Sequence, residues 1–187
     1  MKKISILFVF LITITSTQAQ VKVGDATLPA SVSFGGEELV FNGAGLREKF
    51  FFDIYAGGLY LKKKSSSADK IAKADETMAI KLHILSGMMS RSKMAAALKD
   101  GFKKSTNNNT SSLDKRINKF VGFIKDEIEV GQIYDIVYEK GKGSVIYKNG
   151  QEKGYVEGLD FKEALFKIWI GDKPADKGLK SEMLGSF

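Results

Sequence analysis

The sequence predicts an α+β fold in which an antiparallel sheet is covered on one face by helices. Two patterns carry this reading. Apolar residues alternate with a period of two in short runs before residue 85 and again over 132–158. They recur at helical spacing over 91–124 and after residue 161. Strands and helices are therefore grouped along the chain and do not alternate singly, which is the order of an α+β fold. Composition agrees with a chain that builds its own core: 187 residues, 43% hydrophobic and 27% charged, with two prolines.

The N-terminus comes first. Lys2 and Lys3 precede an apolar stretch from Ile4 to Ile14, broken by Ser5 and Thr13, and a polar stretch then leads to Ala19. This is the pattern of a cleaved secretory signal over residues 1–20. A membrane span needs roughly 20 apolar residues, more than this stretch holds. Residues 21–187 are then expected as a single domain, exported to a periplasm or secreted, with no membrane anchor left after cleavage.

After the signal, residues 21–23 and 38–41 are short strands, interrupted by Gly24, Pro29, Gly35-Gly36 and a glycine turn around Gly43. Residues 49–61, rich in Phe, Tyr and Ile, form the most strand-like segment. A polar turn and a short helix over 68–74 follow. In the strand over 77–85, Met78, Ile80, Leu82 and Ile84 share one face.

Met94, Ala97, Leu98, Gly101 and Phe102 mark an amphipathic helix with Ser90 as its N-cap. Leu113, Ile117, Phe120, Val121 and Ile124 mark a second. Strands over 132–139, 144–148 and 153–156 return, with Asn149-Gly150 a hairpin turn because both residues accept positive φ. Helices over 161–170 and 174–184 close the chain, with Pro174 suited to a first helical turn.

Several classes of chemistry are excluded. Without cysteine there are no disulfides, thiol nucleophiles or thiolate metal sites, and the one histidine, His83, cannot make a multi-histidine site. No metal site and no cofactor are expected. The glycines at 43 and 45 precede a strand, whereas a dinucleotide fingerprint requires a helix there. The net charge of +7 falls to +5 without Lys2 and Lys3. Acids interleave with the bases and no arginine–aromatic pattern accompanies them, so nucleic acid is not an expected partner. The oligomeric state is left open.

Arg47 is the residue most suggestive of a site. It stands between a glycine turn and Phe50-Phe51-Phe52, and a guanidinium in apolar surroundings needs a carboxylate, from a ligand or from a residue such as Asp53. In one uninterrupted strand Arg47 and Tyr55 would share a face roughly 26 Å apart, so a common site requires a bend between them. His83 is expected as a surface or hydrogen-bonded residue opposite the apolar face. Met88, Met89 and Trp169 are expected in the core or a pocket wall.

Gly43-Ala44-Gly45-Leu46-Arg47, Lys49-Phe50 and Tyr55-Ala56-Gly57-Gly58-Leu59-Tyr60-Leu61 resemble the chalcone isomerase superfamily. Ala164-Leu165-Phe166-Lys167-Ile168-Trp169-Ile170-Gly171-Asp172-Lys173-Pro174, with Met183-Leu184-Gly185, resembles its exported bacterial branch. The resemblance covers residues 22–185. It implies an open-faced β-sandwich, a large antiparallel sheet with helices packed over one face and a ligand cleft between them. Plant members of the superfamily cyclise chalcones with help from an arginine. Non-catalytic members hold a fatty-acid carboxylate with that arginine and a tyrosine.

Arg47 matches the arginine, and Tyr55 falls where the fatty-acid binders carry tyrosine. The enzymes' catalytic tyrosine, which follows a pair matched by Ser86-Gly87, is replaced by Ser90. The hydroxyl residue of their C-terminal cleft helix has no counterpart over 161–170. The resemblance thus implies an exported binder of a small amphipathic carboxylate, a fatty acid foremost, with Arg47 and Tyr55 as ligand-binding residues. The alternatives are an intramolecular-lyase isomerase, with Arg47 offsetting oxyanion charge, and a partner-binding protein in which Arg47 pairs with Asp53.

Overall fold

The computed structural model describes residues 20–185. The predicted export signal lies outside them apart from Gln20. Strands β1 (Gln20–Val23) and β2 (Ala26–Pro29) form a small hairpin of their own. Seven strands form one antiparallel sheet in chain order: β3 (Ser31–Phe34), β4 (Glu37–Lys49), β5 (Phe52–Leu61), β6 (Met78–Ile84), β7 (Ile133–Glu139), β8 (Gly143–Lys148) and β9 (Gln151–Val156). The helices are α1 (Ala68–Lys73), α2 (Arg91–Ser105), α3 (Asp114–Val121), α4 (Leu159–Ile170) and α5 (Lys177–Met183).

Period-two alternation gives the sheet two apolar faces. Tyr55, Leu59, Ile80, Leu82 and Ile136 point into the main core under the helices, with Phe102, Phe120, Phe161 and Phe166. Leu39, Tyr60, Ala79, Val137 and Val145 form a smaller core on the other face. The sheet curls around that smaller core: Phe34 of the first strand meets Tyr147 of the sixth with ring centroids 5.3 Å apart.

Strand β4 departs most from expectation. The predicted glycine turn at Gly43 is instead strand interior, because α5 packs directly on the backbone there. A Cβ on Gly43 would lie 2.1 Å from the Glu182 carbonyl oxygen, and one on Gly45 would overlap the Glu182 carboxylate. The register with β5 shifts between Phe41 and Gly43, so Asn42 sits in a bulge. The bulge reverses the parity of the strand: Leu39 faces the small core, whereas Gly43, Gly45 and Arg47 face the helices. Buried Asn42 holds it in place, donating to the carbonyls of Met183 (2.8 Å) and Ser65 (3.0 Å) and accepting from the Ser65 N–H (2.8 Å).

The segment expected as one strand over 49–61 is broken by a two-residue turn. Phe50 (φ 51°) and Phe51 (φ 66°) are both left-handed, flanked by the pair Lys49–Phe52. That is the geometry of a type I′ hairpin, and the sequence conceals it because phenylalanine disfavours positive φ. Two helix boundaries also shift. Gly122 caps α3 at Val121, and α5 begins at Lys177 with the Asp176 side chain accepting from the Leu179 N–H (2.9 Å), leaving Pro174 outside it.

Helix α4 lies at the centre of the helical layer, with eight of its twelve residues buried. One of these is Lys162, fully buried, whose ammonium donates to the carbonyls of Ile71, Ala72 and Ala74 at 2.7–2.9 Å. These carbonyls end α1 and have no later helical N–H to accept from, so a charge on α4 caps a different helix. Burial pushes the amine's pKa down to about 8.

Candidate functional site

The β4–β5 hairpin places the two expected site residues side by side. Arg47 and Tyr55 are cross-strand partners, and the guanidinium carbon lies 5.5 Å from the centre of the Tyr55 ring. The wide separation expected along one strand does not arise, because the chain reverses between them. Both side chains face the helices. Phe50, Phe51 and Phe52, expected to surround Arg47, project into solvent at the hairpin tip and line no part of the cleft.

Tyr55 is 2% exposed. Its hydroxyl accepts a hydrogen bond from Trp169 Nε1 of α4 at 3.0 Å. An indole N–H only donates, so the Tyr55 oxygen must accept, and its own proton is free for a further acceptor. Burial raises the phenol pKa, opposed by the charge of Arg47, so Tyr55 remains a neutral donor at physiological pH.

Arg47 has no carboxylate within ion-pair reach among the described residues. Asp53 stands opposite Glu48 in the register, and its carboxylate turns toward Gly24 on the other side of the hairpin. Asp100, the acid in the cleft wall, is held by Lys104 at 2.7 Å. Two donors, Arg47 and the Tyr55 hydroxyl, therefore converge on one place where the nearest carboxylate, Asp100, is engaged by Lys104. Such a place is complementary to an anion, and a carboxylate can accept from both.

The space around them has two neighbouring parts that share Arg47, Ala97 and Asp100. The inner part is about 60 Å³, bounded by Tyr55, Met94, Leu98 and Trp169, which is room for a head group the size of about two waters. The outer part is about 380 Å³, walled by Ile54, Met88, Met89 and Ala96, with Lys49 and Lys93 at its rim. That is ligand scale, and its wall is apolar. A larger hollow of about 510 Å³ beside β1 mixes Lys22 with Glu48, Asp176 and Glu182, and has no such convergence of like donors.

Ser90, at the position of the enzymes' tyrosine, caps α2: its hydroxyl accepts from the Lys93 N–H at 3.3 Å. Helix α4 presents Trp169 to the cleft and contains no serine or threonine. His83 lies on the opposite sheet face, as expected, and is half-buried, with its Nδ1 without a hydrogen-bond partner among the described residues. Among the described residues no cluster of His, Asp and Glu could hold a metal ion. Sequence reasoning placed Trp169 in a wall and missed its bond to Tyr55. The available signal was that a buried indole N–H needs an acceptor.

Comparison with known proteins agrees with this architecture. The family model described as "Chalcone isomerase-like" matches residues 20–185. An Arabidopsis thaliana fatty-acid binding protein of known crystal structure superposes with a TM-score of 0.69 at 20% sequence identity, covering 89% of this chain and 96% of that one. No curated protein matches the chain. With the large curled sheet, the helical layer on one face and the family match over all of the described residues, the protein belongs to the chalcone isomerase-like family.

Proposed function

We propose that the protein is an exported binder of a fatty acid or similar amphipathic carboxylate, held in the cleft between the β4–β5 hairpin and α2. The observation that carries this reading is the pairing of an arginine with no ion-pair partner among the described residues and a buried tyrosine whose hydroxyl accepts from Trp169 and keeps its own proton to donate. The carboxylate enters the inner space and accepts from Arg47 and Tyr55, and the chain runs outward over Ile54, Met88 and Met89. Burial of ten methylenes contributes roughly 8 kcal/mol gross, and the charge-assisted bonds to the carboxylate offset part of the ordering and desolvation costs. The fatty-acid binding activity of the Arabidopsis structural neighbour supports the ligand class, and the N-terminal pattern supports export to a periplasm or the medium.

The test is native mass spectrometry of the protein purified without delipidation, followed by titration with a fatty acid. The expected result is a stoichiometric ligand in the mass range of a fatty acid. Arg47→Leu should weaken binding about 10- to 100-fold, the range for a lost charge-assisted hydrogen bond. An empty wild type that takes up no added acid overturns the reading. Cyclisation of a chalcone-like substrate, abolished by Arg47→Ala, would reassign Arg47 to oxyanion stabilisation.

A further inference from the structure

The β4–β5 hairpin ends in three consecutive phenylalanines that serve no interior purpose. Phe51 is fully exposed at 104%, Phe50 at 72% and Phe52 at 58%. The two at the turn occupy left-handed backbone that favours Asn or Gly, so the chain accepts backbone strain to present rings to solvent. Val130, 59% exposed, lies at the same end of the sheet: the neighbouring Gly131 N–H bonds to the Ile84 carbonyl, and the Leu85 N–H to that of Ile54. Apolar side chains from two separate loops thus share one rim.

Cations outnumber acids at the cleft mouth, where Asp100 is the one acidic lining residue and is paired with Lys104. Lys49 and Lys93 stand with Arg47 at the cleft mouth, and the Lys49 ammonium lies 5.4 Å from the centre of the Phe50 ring. Glu48 lines the β1 hollow and Asp53 faces Gly24, both on the other side of the hairpin. The exposed apolar tip is therefore flanked by cations where the cleft opens.

We infer that this hairpin tip is an interfacial anchor that seats the protein on a bilayer carrying anionic headgroups, with the cleft mouth turned toward the lipid. The choice of a bilayer as the occupant rests on the carboxylate-binding reading, since a membrane is where such acids partition. Shape supports it independently. A two-residue turn is too narrow to supply the roughly 800 Å² per partner of a stable protein interface, yet it reaches the headgroup–acyl boundary about 5–10 Å deep. Cations beside inserted apolar groups add attraction to anionic lipid. Among the described residues no helix is long and apolar enough to cross a membrane, so the contact is peripheral.

The test is co-sedimentation of the purified protein with vesicles of phosphatidylglycerol and phosphatidylcholine, and with phosphatidylcholine alone. The variant combines Phe50→Asn with Phe51→Gly, residues that suit the turn and so preserve the fold. Wild type should partition onto the anionic vesicles more strongly than onto the neutral ones, and the variant should lose about tenfold or more of that partitioning. Its fatty-acid affinity in solution should be unchanged. A wild type that binds neither vesicle, or a variant that binds as well as wild type, overturns the anchor. So does self-association of wild type in sedimentation velocity that the variant abolishes, because the tip would then contact a second copy. Fatty-acid binding without vesicle binding removes the anchor alone. Vesicle binding by a protein that takes up no acid removes the ligand reading alone.

Discussion

Two hairpin turns in the sheet have nearly the same backbone and opposite chemistry. Asn149 (φ 51°) and Gly150 (φ 77°) join β8 to β9 between the pair Lys148–Gln151, and Phe50 (φ 51°) and Phe51 (φ 66°) join β4 to β5 between Lys49–Phe52. At the first turn the residues suit the geometry. Asn149 also secures the neighbouring strand: its N–H donates to the Ile133 carbonyl and its Oδ1 accepts the Ile133 N–H, both at 2.8 Å. At the second turn the rings stand in solvent. Strand register dictates the turn geometry in both places, and residue identity then follows what the tip must touch.

Exchanging the two chemistries tests that statement. The largest effect is expected from putting phenylalanine at both positions of the β8–β9 turn, Asn149→Phe with Gly150→Phe. The change adds left-handed strain and strips the Ile133 N–H of its acceptor, costing about 2–5 kcal/mol in urea unfolding. The reverse change at the β4–β5 turn, Phe50→Asn with Phe51→Gly, should stabilise by about 1–2 kcal/mol, or roughly 2–8 °C in melting temperature. Phe51→Ser removes the ring without relieving the φ and should leave stability within about 0.5 kcal/mol. A large loss there would show that the exposed ring supports the fold, and the contrast between the turns would fail.

The same contrast explains what could be read from the sequence. Asn149-Gly150 is legible because its residues are chosen for conformation. Phe50-Phe51 is not, and three consecutive β-forming residues were read as strand. An unbroken strand would hold Arg47 and Tyr55 far apart, whereas the hairpin register makes them partners. The strand faces, the Ser90 cap and the apolar stripe of α2 were legible because local periodicity sets them. The long β4 was not: its glycines signal a turn locally, and only α5, more than 130 residues later, explains why no side chain fits. The resemblance identified Arg47 and Tyr55, but Trp169 as the group that fixes the direction of the Tyr55 proton required the packed structure.

Lys162 gives the molecule an internal reporter of its own opening. Amine-directed reagents react with the neutral amine in contact with water. With a pKa lowered to about 8, this lysine is mostly neutral in mild alkali, where ordinary surface lysines remain mostly protonated. Its fully buried position withholds it from such reagents. Labelling at this residue must wait for α4 to part from the end of α1, so its rate counts the openings between these two helices.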